Sequence, residues 1–356
     1  MQNKPKPGYV AYYDVLTILA CIAVIYLHCN GIVHTFSPNA AWDQALIVEV
    51  LAYWAVPVFF MLTGAKTLNY RSRHTTLEFL TSRFRRLFVP FFFWSLIIFY
   101  LRNWQTLQVN GAHTGLGIFF NALMSNSIEP TYWFFWSMFS ISIAMPALSL
   151  LINNDNAINY LIISSLIFTS ILPTVFKLVG ISWNTSLANP LVGDYLLYVL
   201  LGYRLSKDKL LFKDKGHRLL LYCLSIISFA IRYVYTYKTS YLLGATNKAL
   251  FDYQSIIAVI PSIGVFVLIQ QFEQTPLMTK LIDQRNVVNL LKKVSSSCFG
   301  IYLIHKIVLD NVLVGQLKIP MDSMLMRQGL PLVIFFICLV IVQIFKHLPL
   351  LKNLVP

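Results

Sequence analysis

Apolar residues gather in about ten runs of about twenty, near 12–32, 45–66, 84–102, 131–152, 158–177, 190–205, 218–236, 253–271, 297–315 and 329–347, with short polar breaks between them. A helix of about twenty residues rises about 30 Å, the thickness of a bilayer's hydrocarbon core. The pattern therefore predicts an all-α, polytopic transmembrane helix bundle of about ten spans. A membrane barrel would instead show roughly ten-residue segments of alternating polarity. The first run is too long for a signal-peptide core and no small-residue cleavage site follows it, so the reading keeps it as a span. No internal repeat, heptad array or soluble module interrupts the series, which predicts a single integral-membrane domain over residues 1–356.

Composition agrees, and charge adds orientation. The chain is 57% hydrophobic and 12% charged, with a mean hydropathy of +0.65. A net charge of +14 would suggest nucleic acid in a soluble protein, but here the basic residues sort by side and no nucleic-acid partner is expected. With the N-terminus cytoplasmic, the inner segments hold Lys4, Lys6, Lys66, Arg71, Arg73, Arg83, Arg85, Arg86, Arg204, Lys207, Lys209, Lys213, Lys215 and Arg218. They continue with Lys280, Arg285, Lys292, Lys293, Lys346 and Lys352, whereas the outer segments hold only Arg102, Lys177, Arg232, Lys238, Lys248, Lys318 and Arg327. The positive-inside rule then places both termini inside. The cysteines, Cys21, Cys29, Cys223, Cys298 and Cys338, lie in apolar runs without metal-ligand spacing, so no metal is expected.

The connections add little chemistry. The longer outer ones, near 103–130 and 237–252, are candidate lids, and LGIFFNALM (116–124) is too short to span and fits an interfacial or re-entrant position. On the inner side, SKDKLLFKDKGH (206–217) has the composition of an attachment to anionic headgroups.

Ionisable groups inside apolar runs are costly and need partners, water or a function. In YYDVLTILACIAVIYLHCNG (12–31), Asp14, Thr17 and His28 lie on one predicted helix, with Thr17 and His28 eleven residues apart and so near one face. That separation is about 16 Å along the axis, with His28 in the outer half. An imidazole there is either satisfied by a neighbouring helix or acts as a base, since it titrates near neutral pH. In FLTSRFRRLFVPFFFW (79–94), Arg83 and Arg86 share a helical face while Arg85 points elsewhere. The pair serves as a stop-transfer cluster or as a clamp for phosphate. SSSCFGIYLIHKIVL (295–309) puts His305 and Lys306 well inside a run, where at least one should face a cavity unless the histidine makes a structural hydrogen bond. Glu129 precedes Pro130 and the aromatic run TYWFFW (131–136), either an interfacial belt or a carboxylate that lines a cavity and orients a sugar hydroxyl. YWAVPVFFMLTGAKTL (53–68) carries Pro57 and Gly64, which kink and thin a helix.

The order of these motifs resembles the membrane acyltransferase-3 family across nearly the whole chain. The resemblance rests on the Asp14 to His28 pattern, then VPVFFMLTG, SRFRRLFVP, WFFWSMFSISIAMPALSLLI (133–152), YLLYVLLGYRL (195–205) and CFGIYLIH (298–305). It implies an enzyme that moves an acyl group, commonly acetyl, from cytoplasmic acyl-coenzyme A to a hydroxyl of a surface polysaccharide, glycan or lipid-linked sugar. Acetyl-coenzyme A would be a co-substrate, with no tightly bound cofactor, and the protein would be multi-pass in a bacterial cytoplasmic membrane among its lipids. His28 would be the catalytic base with Asp14 on the same helix, and Arg83 and Arg86 would bind the donor beside Thr17.

One departure stands out. The family often has arginine eleven residues before the histidine, where this chain has Thr17. A hydroxyl does not replace a guanidinium on an anion. Either another cation substitutes, with Arg83, Arg86 or Lys306 as candidates, or the donor is held differently. A transporter or flippase of a lipid-linked glycan is the competing class, because buried His and Lys also suit a translocation path. Against it stands the lack of a repeat with matching broken spans. The acceptor, the acyl chain and the oligomeric state, including a homodimer, stay open.

Overall fold

A computed structural model describes residues 9–110, 115–189, 191–193, 195–207, 212–349 and 351–356. Lys4, Lys6, Lys209, part of the 103–130 connection (111–114) and part of the 206–217 stretch (208–211) lie outside these residues. The described residues form helices and turns without a strand.

Each apolar run maps onto a helix or onto a helix broken into two pieces. The first is α1 (Ala11–His28), and the second is α2 (Ala40–Ala52) continued by α3 (Ala55–Thr67). The third is α4 (Thr76–Arg83), a π-helical turn at Phe84–Phe88 and α5 (Val89–Asn110), followed by the short α6 (Gly115–Met124). Next come α7 (Trp133–Leu148), then α8 (Asp155–Ser165) with α9 (Leu172–Leu178), α10 (Leu196–Lys207) and α11 (Lys215–Leu243). The eighth run is α12 (Ile256–Phe272) with α13 (Pro276–Ile282), after which α14 (Arg285–Ser295) leads into α15 (Cys298–Ile307) and a π-helical stretch at Val308–Gln316. The chain closes with α16 (Met324–Gln328) and α17 (Leu330–His347).

Fewer helices pass a length test than the about ten spans expected. Among the described residues seven are long and apolar enough to cross a bilayer, or eight if the α12–α13 pair, bent by 70°, is one span. The shortfall is α7, with 16 residues, and α10, with 12. Both are core elements: every residue of α10 from Leu197 to Tyr203 is buried, so its apolar run serves protein packing on all sides. The LGIFFNALM stretch is α6, with Phe119 and Leu123 buried and Phe119 set edge-on to Phe92 and Phe99.

Contacts between helix ends show that successive runs reverse direction. At one end Glu273 accepts from the Ala11 N–H at 2.6 Å, Arg71 donates to Ser149 at 2.7 Å, Lys207 to Asp155 at 2.8 Å and Gln343 to Ser297 at 2.6 Å. At the other, Tyr26 donates to the Gln328 carbonyl at 2.8 Å, Arg102 pairs with Glu129 at 2.6 Å and Tyr241 donates to Asp43 at 3.1 Å. The described residues of the basic set from Lys66 to Lys352 gather at the first end, called the basic end below.

Glycine sets the closest helix contact. A Cβ on Gly64 would lie 1.8 Å from the Val199 carbonyl oxygen, and one on Gly202 would lie 1.9 Å from that of Met61. Each glycine thus faces the backbone one turn before the other, the arrangement of two helices running in the same direction with their glycines level, since Cβ tilts toward the N-terminus. Pro57 sits in the first turn of α3, where its missing N–H costs little, and the break at Tyr53 and Trp54 lies just before it. The helices α1 and α15 also run parallel: Cys21 Sγ donates to the Cys298 carbonyl at 3.7 Å and His28 meets His305 at 2.5 Å, both with an offset of 277 residues.

Replacing Gly202 with Val inserts atoms where the Met61 backbone stands. Overpacking of this kind costs about 1–3 kcal/mol and more where backbone must move. We expect Gly202→Val to lower the thermal aggregation midpoint of the detergent-solubilised protein, measured by size-exclusion after heating, and an unchanged midpoint would contradict this packing.

Candidate active site

A cavity of about 430 Å³ opens at the basic end and runs into the bundle. Its polar part is lined by Thr17, Lys66, Arg83, Arg86 and Ser295, and its apolar part by Phe59, Phe134, Phe135, Met138, Phe299 and Tyr302. Arg83 ends α4 and Arg86 stands in the π-helical turn that follows, so the two guanidiniums reach one space from a single chain segment. A wider cavity of about 950 Å³ adjoins it, lined by the same two arginines with Arg85, Ser296, Phe299 and Lys352. Arg85, expected on another face, therefore joins the cluster at this outer mouth, and the wide π turn places it there.

These cations are not spent on ion pairs. Among the described residues no carboxylate oxygen lies within 4.0 Å of Lys66, Arg83 or Arg86. Lys66 Nζ donates to the Thr17 hydroxyl at 3.3 Å and lies 5.5 Å from the Tyr13 ring centre, while Arg83 lies 5.4 Å from that of Phe79. A cleft lined by one sign of charge, with apolar walls beyond, concentrates field and attracts anions.

A pair of histidines lies next to Tyr302, outside the residues that line the cavity. His305 is 1% exposed and His28 is half-buried, so the accessible ring is backed by a sequestered one. Their planes are near-parallel, 13° apart, and His28 Nδ1 lies 2.5 Å from His305 Nε2. His305 Nδ1 lies 2.6 Å from the Tyr302 carbonyl oxygen, which can only accept. That assigns the tautomers: His305 carries its proton on Nδ1 and accepts at Nε2, so His28 donates from Nδ1 and holds a lone pair at Nε2. Tyr302 links the two regions, because it lines the cavity and its ring centre is 6.4 Å from that of His28.

The helix that carries His305 is pinned from outside the cavity. Tyr302 donates its hydroxyl to the Thr131 carbonyl at 2.6 Å, and Tyr132 donates to the Leu303 carbonyl at 2.7 Å. Glu129 holds this turn: Oε2 pairs with Arg102 at 2.6 Å, and Oε1 accepts from the Thr131 hydroxyl at 2.9 Å. Arg102 also reaches Asp310 at 3.5 Å, and Asp310 accepts from Lys306 at 2.8 Å.

The predicted site residues fall into two groups. His28 meets His305 in one cluster, and Thr17 meets Arg83 and Arg86 in the other. Asp14 does not reach His28, which is about 21 Å away along the helix. Its carboxylate accepts from Tyr9 at 2.8 Å and from Ser295 at 2.6 Å, clamping the start of α1 to the end of α14, just before α15. Burial and the neighbouring Asp14 hold the Tyr9 phenol well above its usual pKa, so it stays a donor. Lys306 is paired with Asp310 at the far end from Thr17, and so does not stand in for a first-span cation. Glu129 lies 1% exposed with both oxygens engaged, a structural pin in place of the free carboxylate expected to line a cavity. Neither His28 nor His305 lines the cavity, and Tyr302 is the lining residue in contact with the pair. Lys66, Ser295 and Tyr302 were missed as site residues. Lys66 was legible only as a topological charge, and Ser295 and Tyr302 carry no local signal.

A membrane bundle with an anion-attracting cleft at one end and a paired histidine deeper in is suited to group transfer between a charged donor and a hydroxyl. The profile of the acyltransferase-3 family, described as an acyltransferase domain, matches residues 10–345. The chain belongs to that family and is a membrane acyltransferase. No curated protein and no solved structure matches it.

Removing Arg102 leaves a buried carboxylate without its strongest partner. We expect Arg102→Met to cost about 1–3 kcal/mol of stability, the penalty for a stranded buried acceptor, and Arg102→Met/Glu129→Gln to recover part of it. Thermal unfolding in detergent checks this, and a double variant less stable than the single one would contradict the pinning role.

Proposed function

We propose that the protein transfers an acyl group, acetyl in the simplest case, from a coenzyme A thioester to a hydroxyl of a carbohydrate or lipid-linked glycan. The observation that carries this reading is the single cavity that has Arg83 and Arg86 at one end and Tyr302, the residue that orders the histidine pair, at the other. The guanidiniums suit bidentate contact with the donor's phosphates, with the wider cavity at Arg85 and Lys352 receiving its nucleotide end. The uncharged arm then lies against Phe134, Phe135, Met138 and Phe299 and brings the thioester toward Tyr302. The excess of basic residues supports a cytoplasmic position for this end, in a bacterial cytoplasmic membrane.

In the reaction, His28 Nε2 takes the proton of the acceptor hydroxyl as its oxygen attacks the thioester carbonyl. The new C–O bond forms, the C–S bond breaks, and the proton passes from His28 to the departing thiolate, giving an ester and free coenzyme A. His305 shares no atom with the substrates. It accepts from His28 Nδ1, fixes the tautomer that leaves Nε2 basic, and stabilises the imidazolium that forms.

We expect His28→Ala to abolish acetyl transfer and thiol release from acetyl-coenzyme A while the protein stays folded. His305→Gln should lower kcat by about 10²-fold, the size of a misplaced general base, with a much smaller change in KM for the donor. Full turnover in His28→Ala would overturn the assignment of the base. A His305→Gln variant whose loss lies wholly in KM would overturn the orienting role.

A further inference from the structure

The chain lacks the first-span arginine often found in its family, and Thr17 stands in that place. We propose that Lys66, from the neighbouring helix α3, supplies the missing cation and binds an anionic group of the donor, a phosphate of the coenzyme A thioester. The inference rests on the donor reading above.

Three observations converge on Lys66. Its ammonium lies 3.3 Å from the Thr17 hydroxyl, so the charge sits at the very site where a first-span guanidinium would emerge. Thr17 donates its own proton to the Tyr13 carbonyl at 2.6 Å, which leaves its oxygen free to accept from Lys66 and to steer that side chain. Lys66 lines the same cavity as Arg83 and Arg86. An ammonium has three N–H donors. One contacts Thr17 and the ring of Tyr13 stands beside the charge, leaving donors to face the cavity.

Lys66 is the cation that contacts Thr17; Arg83 and Arg86 share its cavity, and four others are held elsewhere. Lys306 is bound to Asp310 and Arg102 to Glu129, both at the opposite end. Arg71 donates to Ser149 and the Pro146 carbonyl, and Arg73 to the Lys66 carbonyl. Thr63 and Met138, cavity residues beside the apolar wall, are in mutual contact, and Thr63 lies one turn before Thr67 on the same face of α3 that bears Lys66's neighbours. Lys66 therefore belongs to a helix that forms both the charged and the apolar parts of the cavity. A lysine is a compact point charge where arginine is a planar fork, so its contact with phosphate is attractive without being bidentate. Its role is binding, with no share in proton transfer.

The test uses the full chain in nanodiscs, coenzyme A as the binding probe and acetyl-coenzyme A for turnover. Lys66→Met keeps the length and apolar stem of the side chain and should weaken coenzyme A binding by about tenfold, the worth of one charge-assisted contact. The rise in KM for acetyl-coenzyme A should exceed any fall in kcat. Lys66→Arg should bind like the parent, and Thr17→Arg/Lys66→Met, which returns the cation to the first span, should recover most of the lost affinity. Unchanged affinity in Lys66→Met, alongside weakened binding in Arg83→Gln, would overturn the role of Lys66 and leave the donor reading intact. Failure of the parent protein itself to bind coenzyme A would overturn the donor reading and this inference with it. A Lys66→Met loss that neither Lys66→Arg nor the double variant repairs would mark Lys66 as structural and also overturn the proposal.

Discussion

The register between α1 and α15 is the constraint on which the site depends. The helices run parallel: at the basic end Asp14 holds Ser295, which ends α14 just before α15 begins, and deeper in His28 meets His305. A slip of one residue on either helix would rotate its side chains by about 100° and separate the rings. The clamp at Asp14 thus contributes to the site from a distance, by fixing which turn of α15 faces His28. Glu129 acts similarly from the other direction, since the turn it holds grips Tyr302 and Leu303 on the helix bearing His305.

Charge is distributed along the cavity with the same economy. Carboxylates near the site are spent: Glu129 on Arg102, Asp310 on Lys306 and Arg102, and Asp14 on hydroxyls. The cations that line the cavity are not, because Lys66, Arg83 and Arg86 face it without a carboxylate partner among the described residues. Positive potential is thereby retained at the basic end, and a hydrogen-bonded pair of imidazoles stands deeper in, beside Tyr302. Separation of anion binding from proton transfer suits a donor that is highly charged at one end and reactive at the other.

Much of this was legible in the sequence, and what escaped it was the identity of neighbours. Each apolar run became a helix because lipid and core alike reward a self-satisfied backbone. Hydropathy could not tell that α10 and α7 are too short to pass as spans, since a helix buried in protein and one facing lipid have the same composition. Arg83 and Arg86 could be placed on a common face from their spacing, which is local. The partner of His28 lies 277 residues away, and a histidine in an apolar run signals only that some partner exists. Glu129 was open between an interfacial belt and a cavity carboxylate for the same reason, its arginine being supplied by another helix. Lys66 was hidden by its surroundings in the chain, where it looked like one more charge marking the inner side.

In the proposed reaction the donor enters from the basic end and its thioester meets the histidine pair from within the bundle. Thiol release from acetyl-coenzyme A, measured with the donor outside membrane vesicles of defined orientation, tests it most directly. With the basic end cytoplasmic, as proposed, release is expected from inverted vesicles and none from sealed right-side-out vesicles until they are permeabilised. Equal release from both orientations of sealed vesicles, or release by right-side-out vesicles alone, would contradict it.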